Sequence, residues 1–95
     1  MLKKLAKRIT KEVHQAQDYV EQAFIVKSSA PTIADLFIEL AKDNIRHAEK
    51  MFDIGKEHAE KHTDAQHKEI WQWEYRLMME DIVEVKNKIM HFRSA

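Results

Sequence analysis

The sequence predicts an all-α protein of three long helices, folded as a single domain over residues 1–95. The chain has one glycine and one proline in 95 residues, so few positions can interrupt a helix. Apolar residues recur at steps of three and four through three long stretches, and no stretch shows the period of two that a strand requires. The predicted architecture is therefore a helix pair followed by a C-terminal helix.

Two short segments divide the predicted helices, which cover about residues 3–28, 31–62 and 64–93. The first segment is KSSAPT (27–32), whose hydroxyls suit a helix cap and whose proline suits a first helical turn. The second is KHTDAQH (61–67), where Thr63 and Gln66 have the spacing of a capping box. Because Thr and Asp only lower helix propensity, the second and third helices could also run on as one rod.

Each predicted helix carries a seam of residues expected to face its neighbours. The first helix has the seam Leu2, Leu5, Ile9, Glu12, Ala16, Tyr19, Ala23 and Val26. The second helix has the seam Ile33, Leu36 or Phe37, Leu40, Asn44, His47, Met51, Ile54 and His58. The third helix has the seam Trp71, Tyr75, Met78, Ile82, Val85, Ile89 and Phe92. The polar exceptions in the first two seams are Glu12, Asn44, His47 and, near the end, His58.

The polar exceptions are predicted to meet. If the first turn is centred between Ser29 and Ala30, positions whose numbers add to 59 lie level, which places Glu12 beside His47. A buried carboxylate is costly unless a partner offsets its desolvation. Three partners qualify: a proton shared with His47, hydrogen bonds from Asn44, or a metal ion. Asn44 and His47, three residues apart, project from the same side of their helix and could offer two ligands to one ion.

Composition narrows the class of protein. The absence of cysteine excludes disulfides, thiolate zinc sites and iron–sulfur ligation, and it suits a cytoplasmic location. Sixteen basic and sixteen acidic residues balance, so neither nucleic acid nor an anionic membrane is an expected partner. The basic start MLKKLAKR is not followed by an apolar run of signal-peptide length, and no window approaches a membrane span. The third helix is apolar beyond one stripe, which predicts a homodimer or a higher homo-oligomer.

The segments TKEVHQAQDYVEQAF and FIELAKDNIRHAEKMFDIGKEH resemble the rubrerythrin branch of the ferritin-like family. The resemblance covers about residues 8–58, with Glu12 at the position of the family's first-helix glutamate, Tyr19 at its tyrosine and His47 at its histidine. It implies a half-length diiron protein in which two helix pairs, one from each copy of a dimer, complete a four-helix bundle. The resemblance implies iron as the cofactor, in a di-metal centre, and Fe(II) oxidation or peroxide reduction as the chemistry. Tyr19 would hydrogen-bond a ligand. Peroxide-reducing members usually add an electron-delivery domain with four cysteines, and this sequence contains no cysteine.

One position departs from the family's pattern. Asn44 stands where the family has the bridging glutamate of Glu-x-x-His, and a neutral amide is a weaker ligand that cannot bridge two ions as a carboxylate does. Three outcomes follow: a depleted or mononuclear site, a site repaired by another carboxylate, or no metal. Glu74 on the third helix is the expected repair. Glu39 is a further candidate for a contact with His47, with an ordinary surface position as the alternative.

Two other interpretations stay open. A Glu–His–Asn cluster without metal could fix the register of a helical module that acts in structure or partner binding. Alternatively, His58 and His62, four residues apart with His67 nearby, could chelate zinc or nickel, although a solvated helix end explains them as well. No arrangement typical of a nucleophilic hydrolase, a phosphate loop or a base-stacking surface is visible.

Overall fold

The computed structural model describes residues 2–62 and 64–94, and within these ranges it leaves the side chains of His62, His67 and Ser94 undescribed. It contains three helices, α1 (Leu2–Val26), α2 (Pro31–His62) and α3 (Ala65–Ser94). No residue in the described ranges belongs to a strand. The prediction of an all-α protein with three helices is confirmed. None of these helices has the length and apolar character that crossing a membrane requires.

Both helix junctions follow from local chemistry. Ala30 donates its N–H to the carbonyl of Val26 at 2.7 Å and accepts the N–H of Ala34 at 3.0 Å, so α2 begins with Pro31 in its first turn, as predicted. Asp64 precedes α3 and accepts the N–H of Lys68 at 2.9 Å. Helices α2 and α3 are therefore separate and not one rod. The predicted capping box at Thr63 lies outside the described residues.

Small residues form the contact between α1 and α2. They recur every seventh residue along α2, all of them buried, at Ala34, Ala41, Ala48 and Gly55. On α1 the corresponding buried residues are Ala16 and Ala23. Side chains that end at Cβ let two helix backbones approach closely, because interaxial distance depends on the side chains at the contact. Among the described residues, α1 and α2 share the most extensive contact. Larger buried residues such as Ile38, Ile45 and Phe52 face α3 or the three-helix centre.

The predicted seam of α2 is wrong by one residue. Ile33, Leu36, His47 and Ile54 are exposed, whereas Leu40, Asn44, Met51 and His58 are only half-buried. The reason is that the small residues, each one position after a seam residue, face α1. The larger seam residues are then left at the edge of the contact. The predicted seam of α1 is confirmed in part, since Ile9, Ala16 and Ala23 are buried whereas Glu12 and Tyr19 are half-buried. The seam of α3 is confirmed, since every member is buried except the half-buried Tyr75.

Helix α3 packs on one side of the α1/α2 pair. Its Lys86 pairs with Glu49 of α2 at 3.2 Å, and its Ile89 shares a groove with Ile45 of α2. His47 lies two residues from both Ile45 and Glu49, which is about 200° around the helix. The side of the pair that carries His47 is thus turned away from α3. We call this side the open face; its members are Glu12, Tyr19, Ile33, Leu36, Leu40, Asn44, His47 and Ile54.

Candidate functional site

Glu12 and His47 meet at the middle of the open face. His47 Nδ1 lies 3.8 Å from Glu12 Oε2, joining α1 to α2 at the predicted level. The predicted meeting of the two residues is confirmed, whereas the predicted burial of His47 is not, since its side chain is 55% exposed. Glu12, at 25% exposure, is the more enclosed partner. The pair therefore has one shielded end and one end open to a further molecule.

Two polar atoms at this position have unmet hydrogen-bonding capacity. Glu12 Oε2 and Asn44 Nδ2 are both shielded from water, and neither has a hydrogen-bond partner among the described residues. The 3.8 Å separation from His47 exceeds the range of an N–H···O hydrogen bond. Leaving a buried polar group unpaired costs about 1–3 kcal/mol, and more for a charged group. These two atoms therefore need a partner that no described residue supplies.

Tyr19 lies on the open face but contacts a different residue. Its ring stacks on that of Phe37, with centroids 5.9 Å apart and planes inclined by 23°. Seven residues separate it from Glu12, which is about 10 Å along a helix. The hydrogen-bonding role that the resemblance implies for Tyr19 stays a prediction. Phe37 was not predicted as its partner, although the two positions add to 56, within one turn of the level rule that located His47.

Glu39 and Glu74 lie away from the open face. Glu39 accepts a hydrogen bond from Arg93 of α3 at 3.1 Å and lies 3.6 Å from Lys42. It is eight residues from His47, so the expected contact with His47 is not met. Glu74 borders a groove between α1 and α3, together with Lys7 and Leu77. Because this groove lies on the α3 side of the bundle, Glu74 does not supply Glu12 of its own chain with the missing carboxylate.

Glu12 and His47 do not form a complete metal site within the described part of the chain. In the ranges that the structure describes, no three residues of the types His, Cys, Asp and Glu gather closely enough to hold an ion. Glu12 and His47 offer one carboxylate and one imidazole, and Asn44 offers a neutral amide beside them. The unpartnered Glu12 Oε2 is the kind of oxygen ligand that a cation binds. The three residues together, however, supply only half of the ligands that a closed site needs. Of the histidine alternative, His58 is half-buried, while the side chains of His62 and His67 are outside the described set.

Electrostatic perturbation is clearest at the opposite side of the bundle. Burial raises the pKa of the Tyr75 phenol, and the charges of Asp53 and Glu60 raise it further. The Tyr75 ring stacks on Phe52 and lies 5.6 Å from the ammonium of Lys56. On the surface of α2, a hydrogen bond from Lys61 lowers the pKa of Glu57 and raises that of Lys61 itself. The Tyr75 contacts join α3 to α2, whereas the exposed Glu57–Lys61 pair links two successive turns of α2.

No protein-family model matches this chain, and searches of curated proteins and of solved structures likewise give no match. Its function therefore has to be argued from the arrangement of its own residues.

Proposed function

We propose that this chain is a metal-binding helical protein whose site forms when two copies pack their open faces together. Two α1/α2 pairs would then complete a four-helix bundle of the ferritin-like kind. The observation that carries the proposal is the Glu12–His47 pair, which spans both helices and leaves Glu12 Oε2 shielded and unpartnered. A second copy would double this donor set and enclose it.

The apolar residues around the pair support the same arrangement. Ile33, Leu40, His47 and Ile54 recur every seventh residue on α2, which is the repeat of helices that pack against each other. Three of these four are aliphatic, and Leu36, 56% exposed, lies beside them. Exposed apolar surface of this extent is typical of an interaction site. The exposed end of His47 lies within the stripe, so packing of two stripes would bury the imidazole.

Glu12 and His47 of both copies would hold the metal. Glu12 contributes an ionised oxygen from a shielded position, where its attraction for a cation is weakly screened. His47 contributes an imidazole nitrogen, and Asn44 contributes an amide oxygen once its side chain turns the oxygen inward. Following the resemblance to rubrerythrins, iron is the proposed metal, although a donor set with two carboxylates instead of four also suits another divalent ion. Bound iron would supply Fe(II)/Fe(III) redox chemistry, as in a non-haem diiron oxidoreductase that oxidises Fe(II) or reduces peroxide.

Anaerobic loading with Fe(II), followed by desalting and metal analysis, tests the proposal. Wild type should retain iron, and Glu12→Ala should lose it. Glu39→Ala is the matched control, because it removes a glutamate that pairs with Arg93 away from the open face. Absence of metal from wild type, or equal retention in Glu12→Ala, would sink the proposal.

A second function has its own supporting observation. Asn44 replaces the carboxylate that the family pattern requires, which is what a site that has lost its metal would show. In this alternative the open face is a packing surface, and the Asn44 and His47 layer fixes the register of a structural or partner-binding module. It predicts that wild type binds no iron and that Asn44→Glu creates binding. Iron oxidation or peroxide turnover by wild type would exclude it.

A further inference from the structure

The first three turns of α1 form a strip of positive charge. Five cations fall within nine residues and all are exposed: Lys3, Lys4, Lys7, Arg8 and Lys11. No acidic residue precedes Glu12 in the sequence. None of the five makes an ion pair with a residue in the described ranges. We call Lys3, Lys4, Lys7 and Lys11 the basic strip, since Arg8, four residues before Glu12, lies on the open-face side of α1. In a chain with no net charge these cations leave the remainder acidic.

The compensating charge lies on α3, directly alongside. Five acidic residues fall between positions 69 and 84, with Arg76 as the one cation among them: Glu69, Glu74, Glu80, Asp81 and Glu84. Glu84 pairs with Lys88 of the next turn, and the other four form no ion pair within the described part of the chain. Lys3, Lys7, Glu74 and Asp81 line one groove, so the two strips run side by side at the same level of the bundle. We call the four unpaired acids the acidic strip.

Large apolar side chains alternate with the acidic residues along α3. Ile70, Trp73 and Leu77 are on α3 at steps of three and four, and all three are exposed, Trp73 by 62%. Leu77 lines the groove with the lysines of the basic strip, which places this apolar stripe on the α1 side of α3. An exposed tryptophan with two aliphatic neighbours is the kind of anchor found at the centre of protein interfaces. The α1/α3 face thus has a basic side on α1 and a side on α3 that is both acidic and apolar.

We propose that the α1/α3 face binds the same face of a second copy of this chain. If the two-fold axis runs along the groove between α1 and α3, α1 of each copy faces α3 of the other, so the basic strip meets the acidic strip twice. Neither strip forms ion pairs among the described residues, so both are available for this purpose. An anionic membrane or an acidic peptide would be attracted by the basic strip but repelled by the acidic strip. The face is therefore complementary to itself and to neither of these partners.

This contact is independent of the open face. The open face lies on the side of the α1/α2 pair away from α3, whereas the α1/α3 face includes α3 itself. A chain with two self-associating faces assembles beyond a dimer, and loss of one face leaves the contact through the other. The proposal holds whether or not Glu12 and His47 bind metal.

A charge-swap experiment on the full chain tests the proposal, with mass measured by sedimentation. One variant reverses the basic strip (Lys3→Glu, Lys7→Glu, Lys11→Glu), and the other reverses the acidic strip (Glu69→Lys, Glu80→Lys, Asp81→Lys). Each variant alone should associate at least about tenfold more weakly through this face, because like charges then oppose each other. An equimolar mixture should recover the wild-type mass, since both edges of the mixed pair are again complementary. Helix content measured by circular dichroism establishes that each variant is folded.

Single substitutions separate the two faces. Trp73→Glu should lower the assembly mass, whereas Met90→Glu, equally exposed but on the α2 side of α3, should leave it unchanged. Leu36→Glu should disrupt association through the open face and leave association through the α1/α3 face intact. The proposal is overturned if wild type and Trp73→Glu have the same mass, or if the two charge-reversed variants fail to associate when mixed.

Discussion

Gly55 of α2 lies directly against the indole of Trp71. A Cβ atom built on Gly55 would stand 2.7 Å from Trp71 Cζ2 and 2.8 Å from Leu5 Cδ2, both closer than van der Waals contact allows. One residue from each helix therefore meets at this point, where the absence of a side chain lets Trp71 pack across α2. Trp71 and Leu5 fill the space that a larger residue would occupy.

Substitution of this glycine should destabilise the fold even though glycine is a poor helix former. Gly55→Ala gains about 1 kcal/mol of helix propensity, but overpacking against a buried indole costs about 1–3 kcal/mol. We expect a net loss of about 1 kcal/mol in the free energy of unfolding, measured by urea denaturation. In a Trp71→Leu background the clash with the ring disappears, so the same substitution should become neutral or stabilising. A stabilising effect of Gly55→Ala in wild type would contradict the packing described here.

The packing of α1 against α2 leads to a second prediction, which distinguishes a small buried residue of α2 from a large exposed one. Ala41→Leu inserts three carbons between closely packed helices and should cost about 1–3 kcal/mol or more in unfolding free energy. Leu36→Ala removes as many atoms from an exposed position and should change that free energy by less than about 0.5 kcal/mol in the monomer. Measurement at low protein concentration keeps association out of the comparison. A larger loss of unfolding free energy for Leu36→Ala than for Ala41→Leu would instead support the seam predicted from the sequence.

The seam of α2 shows which features of the fold could be predicted from the sequence and which could not. Three helices, the α3 seam and the meeting of Glu12 with His47 follow from periodicity and from the length of the first turn. The α2 seam was displaced because Ile33, Leu40 and Ile54 carry a stronger apolar signal than Ala34, Ala41 and Ala48. Alanine contributes little to hydropathy, yet it decides which side of a helix can approach another most closely.

The environments of the remaining candidates depend on the position of α3. The sequence offers no separation rule that would bring Glu39 to Arg93, because that contact joins residues 54 positions apart across the junction between α2 and α3. Likewise, Glu74 lies beside the lysines of α1 only because α3 packs on the side of the pair away from His47. Single-helix periodicity predicts which residues share a side but not which neighbour covers it.

Lys27 should contribute measurably to the end of the bundle. Its ammonium donates to the carbonyl of Phe92 at 3.1 Å and lies 4.7 Å from the centre of the Phe92 ring. This position, at the C-terminal turn of α3, also places a positive charge at the negative end of the helix dipole. Lys27→Met keeps the aliphatic stem but loses these interactions, and we expect a loss of about 1–2 kcal/mol in unfolding free energy.

Lys50→Met provides the matched control for Lys27, since Lys50 is exposed on α2 and forms no ion pair with a described residue. It should change stability by less than about 0.5 kcal/mol. Equal effects of the two substitutions on the urea midpoint would show that the contacts of Lys27 with Phe92 carry no net stabilisation.

Tyr75 should make stability depend on pH at the alkaline end. Burial, reinforced by Asp53 and Glu60, raises the pKa of its phenol above the ordinary value of 10.0. The folded state therefore holds the phenol proton more tightly than the unfolded state does. The resulting stabilisation is fully present below about pH 10 and is lost as pH rises through the folded-state pKa.

The measurement for Tyr75 is the unfolding free energy of wild type and of Tyr75→Phe between about pH 8 and pH 11. The difference between the two proteins isolates Tyr75 from the lysines that titrate in the same range. Wild type should lose stability relative to Tyr75→Phe as pH rises. A constant difference across this range would contradict the raised pKa.

The central claim, that Glu12 and His47 of two copies form a metal site, is tested most directly by Fe(II) binding measured together with assembly mass. Anaerobic Fe(II) should be retained by wild type and by Glu39→Ala, should be lost from Glu12→Ala, and should bind more tightly at higher protein concentration because a second copy completes the site. Metal should also shift wild type, but not Glu12→Ala, towards the associated form. Failure of wild type to retain iron, or retention by Glu12→Ala equal to that of wild type, would contradict the claim.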